Sequence, residues 1–225
     1  MPTRIEFDPA DIAIQALTAA EHPRQVAQIV ALYEVAAVEM AWQPGDQITA
    51  YPASSVYFAF ECGGQIQGAV QLVRGGTSEG LPVLKVWPEL DLAGRRDVAD
   101  VALVALRKEL RGRRHLYWAL YAAMWRYCVR ERIAELWMEV PHEKLESYRG
   151  LGWPLSVEGP LRLQWEEPCY PCRVSVRGVG EAMIARARRA GTFFKTVDDE
   201  YQAAAGQTRS PHAPREVPLG SSRGA

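Results

Sequence analysis

Cysteine is scarce in this chain. Cys62, Cys128, Cys169 and Cys172 are its four cysteines, too few and too scattered to make a disulfide framework. Cys169 and Cys172 have Cys-x-x-Cys spacing, but a zinc site needs more ligands and there is no second pair. A thioredoxin-like redox role wants a helix N-terminus at the pair, and Pro171 with the strand-like run after it argues against one. Both are therefore expected to be structural, and no metal is expected. Long apolar runs are lacking too. None reaches the roughly 20 residues that span a bilayer, so no transmembrane segment is expected. Neither sign of charge prevails, with 26 Lys and Arg against 27 Asp and Glu and a net charge of -1. Nothing global therefore argues for nucleic acid or for an anionic membrane. The opening MPTRIEFDPADIAIQ has no basic start followed by an apolar stretch, so no secretory signal is expected and the protein is expected to be cytoplasmic. No internal repeat is visible. What is present is an ordinary globular balance, 48% hydrophobic and 24% charged over 225 residues, enough for one sizeable core.

Periodicity divides the chain into alternating elements. Residues 11–18 alternate loosely and predict a first strand. Residues 24–40 carry Val26, Ile29, Val30, Tyr33, Ala37 and Met40 at three-to-four spacing, which predicts a helix, and Pro23 sits where a first turn tolerates it. AWQPGDQITAYP reads as a loop. SSVYFAFE and QIQGAVQLV, separated by Cys62, Gly63 and Gly64, predict a hairpin. Residues 81–86, LPVLKV, predict a fourth strand that ends in WPELDLAG. Helices are predicted over 97–110, where Val98, Val101 and Ala105 share a face, and over 115–130, with Gly112 between them. ELWMEV at 135–140 predicts a fifth strand, and HEKLESYRGLGW a short helix closed by Gly150 or Gly152. LRLQW and CRVSV predict the last two strands, and a helix is predicted over 180–189. From residue 205 onward the chain is rich in Pro, Gly and Ser without apolar periodicity. Such a segment cannot bury enough surface to offset its ordering entropy, so residues 205–225 are expected to be a disordered tail on a domain spanning 1–204. The order implies a mixed α/β chain, a central sheet carrying helices on both sides.

One run is more specific than the rest. A strand ending in Glu139, Val140 and Pro141 is followed by a short helix and then by Tyr148-Arg149-Gly150-Leu151-Gly152-Trp153. In this order of elements the run resembles the GNAT acyltransferases. Members that use acetyl-coenzyme A carry an Arg/Gln-x-x-Gly-x-Gly/Ala turn after the fourth strand, whose backbone N–H groups hold a pyrophosphate at a helix N-terminus. In LDLAGRRDVADVAL that turn is absent, and Gly94-Arg95-Arg96 is the nearest approach. The chain is more similar to the bacterial acyl-homoserine lactone (autoinducer) synthases and long-chain N-acyl amino acid synthases. AWQPGDQ, with Trp42 and Asp46, resembles their tryptophan and acidic loop. Arg74 stands where they keep an arginine at the end of the third strand. VWPELD, with Trp87 and Glu89, resembles their Trp-Glu-x-Ser-Arg strand. Leu90, Asp91 and Leu92 stand where that pattern has Ser and then Arg, and Pro88 is extra, so the Ser–Arg contacts are not carried over.

The resemblance implies a GNAT fold with a splayed central sheet. It implies an N-acyltransferase that moves an acyl group, a fatty one, from an acyl carrier protein or acyl-coenzyme A thioester to the amine of an amino acid or related small molecule. No tightly bound cofactor is implied. Glu89, placed at the C-terminal end of a central strand where open sheets put their ligands, is expected to take a proton from the attacking amine; a solvated strand-end charge is the other reading. Asp91 points the same way if the strand continues and would raise the proton affinity of Glu89, or else caps a helix. Tyr148 stands where many GNAT enzymes hold the acid that reprotonates the departing thiolate, or packs its ring on the sheet. Trp42, Arg74, Trp87, Asp91 and Glu139 are candidates for binding substrate, and Gly94, Arg95 and Arg96 for binding the donor's phosphates. Arg107, Lys108, Arg111, Arg113 and Arg114 form a basic cluster that either meets an acidic carrier protein or coenzyme A, or is a solvated face. Tyr117, Tyr121 and Trp125 share one helical face, as core or as the wall of an acyl tunnel. Two alternatives stand beside this expectation: a small-molecule N-acetyltransferase using acetyl-coenzyme A, and an inactive GNAT domain serving as a binding module.

Overall fold

The computed structural model describes residues 13–43, 48–150 and 152–190. Asp46, Leu151 and the predicted tail lie outside these residues. The short strand β1 (Ile14–Leu17) leads into α1 (Pro23–Met40), which buries Val26, Ile29, Tyr33 and Ala37 as their spacing predicts. β2 (Ser55–Cys62) and β3 (Gln65–Arg74) form the predicted hairpin. Its two turn residues, Gly63 and Gly64, both have positive φ, 62° and 76°, the conformation that a tight two-residue turn between twisted strands requires.

After β3 the structure departs from expectation. LPVLKV is not a strand: α2 (Val83–Val86) is a single helical turn ending at Trp87. The predicted helix over 97–110 is instead β4 (Val98–Leu106), a central strand of the sheet. The sequence VADVALVAL offers helical spacing at Val98, Val101 and Ala105. A strand covered by helices on both faces is a near-continuous apolar run that periodicity cannot separate from a buried helix. The three valines, branched at Cβ, fit the pleated alternative. The remaining elements follow the sequence more closely: α3 (Arg114–Arg130), β5 (Glu135–Pro141) and α4 (Leu145–Gly150). Two short strands, β6 (Ser156–Val157) and β7 (Arg162–Gln164), come next. β8 (Glu167–Ser175) begins upstream of CRVSV and so contains both cysteines of the Cys-x-x-Cys pair, and α5 (Val176–Ala190) closes the described chain.

The sheet order is β1-β2-β3-β4-β5-β8-β6, with β7 paired to β8. Every pairing is antiparallel except β4 with β5. That parallel pair is held by the rungs Val98–Glu135, Ala99–Leu136 and Asp100–Trp137 and no others, although β4 runs on to Leu106 and β5 to Pro141. Where the rungs stop, β4 carries a bulge: Gln71 of β3 faces Leu103 and Leu72 faces Val101, leaving Ala102 extra. A bulge bends its strand, and here it sits where β4 leaves β5. Crossover connections between parallel strands place a helix on one face, and α3 takes that position, packing with α5 over Phe58, Val70, Leu136 and Met138. On the opposite face α1 covers Tyr57, Ala69, Leu103 and Ala105, and the α2 segment covers Val73, Val98 and Trp137. Among the described residues no helix is long and apolar enough to cross a membrane.

Candidate active site

The splay of β4 and β5 opens a cavity of about 720 Å³. Its floor is the unpaired stretch of the two strands, Val101–Val104 on one side and Met138, Glu139 and Pro141 on the other. One wall is aromatic. Tyr117 and Tyr121 stand four apart on α3 and so share a face, and Tyr148 of α4 and Trp153 meet them. The Tyr121 and Trp153 rings pack edge to face with centroids 5.1 Å apart. The other wall is Met40, Trp42 and Trp165, the two indoles lying 6.1 Å apart. Arg114 and Lys144, both exposed, stand on the rim.

Two carboxyl groups sit where the strands part. Asp100 is fully buried, and its Oδ2 accepts the Val83 N–H at 2.9 Å. Burial pushes its proton affinity far above the usual carboxylate range, and the charge of Glu139 adds to the rise. Glu139 lines the cavity, and burial raises its pKa to about 7. A carboxylate in that range is half ionised at neutral pH, the condition under which it both accepts and returns protons efficiently. Tyr148 lines the same cavity. Burial raises its pKa, so the hydroxyl stays protonated at neutral pH, while a hydrogen bond from the Tyr121 hydroxyl pulls in the opposite direction by favouring the phenolate. Cys169 is also on the wall, but burial and the nearby Glu167 and Glu139 push its thiol up to about 12. It is therefore an inert thiol rather than a nucleophile. Cys169 and Cys172 belong to core clusters on opposite faces of β8, as a spacing of three along a strand dictates, which agrees with their structural reading.

The structure brings together some of the residues singled out from the sequence and separates others. Trp42, Glu139 and Tyr148 meet in the cavity. Glu89 does not end a central strand, because that strand is β4. It lies in the turn after α2, exposed and held by Arg162, whose two terminal nitrogens reach its carboxylate at 3.0 and 2.9 Å. A hydrogen bond from its own backbone and the Arg162 contact hold its pKa below the usual range, which makes it a weaker base. Asp91 is exposed in the same turn, so the predicted acid pair of Glu89 and Asp91 is replaced by Asp100 and Glu139. Trp87 is buried in the core beneath α2 and donates its indole N–H to Pro160 O at 2.8 Å. Arg74 ends β3 beside Tyr127, to which it hydrogen-bonds, outside the cavity lining. Gly94, Arg95 and Arg96 precede β4 instead of following it. Arg95 is spent on Asp97 at 2.7 Å and Glu135 at 3.0 Å. The turn from β4 into a helix is at 107–113 instead. There Gly112 has φ 88°, and α3 starts at Arg114 with no side-chain cap and no acid in its first turn.

Asp100 was missed outright. The signal was available: one acid inside an otherwise apolar nine-residue strand must be desolvated, and a buried acid demands a reason.

A mixed sheet that splits between two parallel central strands, with helices on both faces, is the GNAT fold. The chain superposes on the coenzyme A-dependent acyl-homoserine lactone synthase BjaI, solved with SAM and isopentyl-CoA, with TM-score 0.62 at 14% identity, covering 78% of this chain and 89% of that one. It superposes on the acyl-homoserine lactone synthase LasI with TM-score 0.63 at 18% identity, covering 76% and 94%. FeeM, an N-acyl amino acid synthase from uncultured soil microbes, gives TM-score 0.59 at 16% identity over 76% and 94%. The fold is thus that of these synthases, as the sequence resemblance implied. No protein-family model and no curated protein sequence matches the chain.

Proposed function

We propose that this protein is an N-acyltransferase that moves an acyl group from a thioester to an amine inside the β4–β5 wedge. The observation that carries the reading is the meeting of a carboxylate with a pKa of about 7, Glu139, and a protonated phenol, Tyr148, in one cavity. The amine nitrogen attacks the thioester carbonyl carbon, and Glu139 accepts the proton that the nitrogen sheds. The C–S bond then breaks, Tyr148 gives its proton to the departing sulfur and regains one from solvent, and Glu139 releases the amine's proton to solvent. The hydrogen bond from Tyr121 supports the phenolate while it lasts. Uncapped N–H groups at the start of α3, with Arg113 and Arg114 beside them, suit the phosphates of coenzyme A or of a carrier's phosphopantetheine. BjaI, of the same fold, was solved with isopentyl-CoA. Lys144 on the rim suits the carboxylate of an amino-acid acceptor.

A fatty donor fits better than an acetyl one. The walls are aromatic and aliphatic, and each buried methylene contributes about 0.8 kcal/mol. The test is a donor series from two to sixteen carbons, on coenzyme A and on carrier protein, assayed for thiol release with pooled amino acids. Release that rises with chain length is expected. Preference for the two-carbon donor would turn the reading to an ordinary acetyltransferase. One observation favours a binding module instead: β4 presents only Val101, Ala102, Leu103 and Val104 to the cavity, no polar side chain among them. Tight acyl-thioester binding without thiol release from any donor would establish that reading.

A further inference from the structure

Among the described residues four that are not glycine have a positive φ, and three of them lie at one pair of indoles. Ala41, with φ 56°, ends α1 and leads directly into Trp42. Trp165 and Glu166, with φ 51° and 67°, are the two turn residues between β7 and β8, closed by the Gln164–Glu167 rung. Two-residue turns with both residues in this conformation prefer Asn-Gly. A side chain held there costs roughly fivefold to thirtyfold in the folding equilibrium at each residue, so glycine would be the less costly choice at all three. Backbone strain of this kind persists where surrounding contacts hold it, and it collects at ligand sites. The contacts here are on the cavity. The Trp42 and Trp165 rings lie 6.1 Å apart and both line it. Trp165 also packs on the cluster that α1 covers, which is built from β1 to β4, although its own hairpin belongs to the β5 half of the sheet. The indole therefore reaches across the wedge from one half of the sheet to the other.

The cavity itself passes through the sheet. Val104 and Met138 pack with the α3 cluster and Leu103 with the α1 cluster, and all three line it. A donor whose phosphates rest at the start of α3 enters on the α3 face, past Tyr117 and Tyr121. Its acyl group, carried beyond the gap between the strands, then runs toward Met40, Trp42 and Trp165. We propose that the Trp42–Trp165 pair is the end wall of the acyl pocket and that Trp165 is a specificity-determining residue, its indole setting the longest acyl chain that the wedge accepts. The strained turn is the support that holds this indole across the gap. The proposal rests on the cavity being the site of an acyl thioester.

The test is equilibrium binding to the full-length protein, by calorimetry, of S-acyl pantetheines with chains of six to eighteen carbons. These probes carry the part that coenzyme A and a carrier protein have in common. No acceptor is added, so the outcome is separate from thiol release, on which the acyl-transfer reading stands or falls. Wild-type affinity is expected to rise by up to about fourfold per methylene and to stop rising at a limiting length. In Trp165→Gly it goes on rising past that length, by up to about fourfold for each further methylene that the vacated space takes in. Should that variant fail to fold, Trp42→Leu shortens the same wall from its other side and moves the limit the same way. Glu166→Gly relaxes the same turn but keeps the indole. Glu166 is exposed and outside the cavity lining, so the limit stays at the wild-type length. A wild-type series without a limit overturns the proposal, and so does a limit shared by the wild type and folded Trp165→Gly. A limit that Glu166→Gly moves as far as Trp165→Gly overturns it too, since the effect would then belong to the backbone. Length-limited binding that depends on Trp165, without thiol release from any donor, would keep the indole wall and remove acyl transfer. Thiol release with a limit indifferent to Trp165 would do the reverse, and no binding at any length would remove both.

Discussion

In the proposed reaction a base and an acid share one cavity, and burial is the largest influence on both. Burial disfavours charge, so it lifts a carboxyl into the useful range and keeps a phenol protonated. Replacing Glu139 by Gln is expected to lower turnover roughly a hundredfold to ten-thousandfold with little change in donor KM, measured by thiol release. Tyr148→Phe should lower turnover without unfolding the protein, since the ring still packs on Trp153, 6.1 Å away. Glu89→Gln should leave turnover unchanged, because the carboxylate is tied to Arg162 outside the cavity. Glu139 also makes a stability prediction with a definite sign. A carboxyl whose folded-state pKa is raised lets the folded state bind the proton more tightly. That stabilisation is complete below the unfolded pKa and is lost as pH climbs through about 7. Calorimetry should find the wild-type melting temperature falling between about pH 5 and about pH 8, and falling less in Glu139→Gln.

At the level of elements, the hairpin offers the cleanest stability test. Gly64 has φ 76° and open space around it, so a side chain there meets only the intrinsic cost of the left-handed region. Gly64→Val should destabilise by about 1–2 kcal/mol in chemical denaturation, whereas Gly63→Asn should be close to neutral, since asparagine tolerates that conformation. The same hairpin shows what was legible in the sequence: two alternating runs about a Gly-Gly pair have one sensible solution. β4 shows what was not. Its pattern comes from neighbours on both sides and helices on both faces, all remote in sequence, and no local periodicity records them. Misplacing that strand moved part of the site. Glu89 and Asp91 inherited the role of a strand end, and Gly94-Arg95-Arg96 that of a turn beyond it. Glu139, Tyr148 and Trp42 were recognised because each lies beside a local landmark: a strand followed by a helix, the Tyr-to-Trp run, and the end of α1. Asp100 had no such landmark.

For the molecule as a whole, the proposed reaction has charge at the mouth and apolar surface inside divide the work of binding a donor. Arg113→Glu with Arg114→Glu should raise the KM for a coenzyme A thioester. The difference from wild type should shrink with added salt, because screening acts over about 8 Å at physiological ionic strength. The three-rung seam between β4 and β5 has a separate consequence, visible without any assay. Beyond Asp100, the β4 amides that point toward β3 are tied into its ladder, while those on the other edge have no strand to bond among the described residues. In deuterium oxide the segment from Val101 to Leu106 should therefore exchange in two populations, one slow and one fast, interleaved along a single strand and out of step at Ala102. An arm that bears amides of its own and enters the gap would act as the missing neighbour, and the fast population alone would slow.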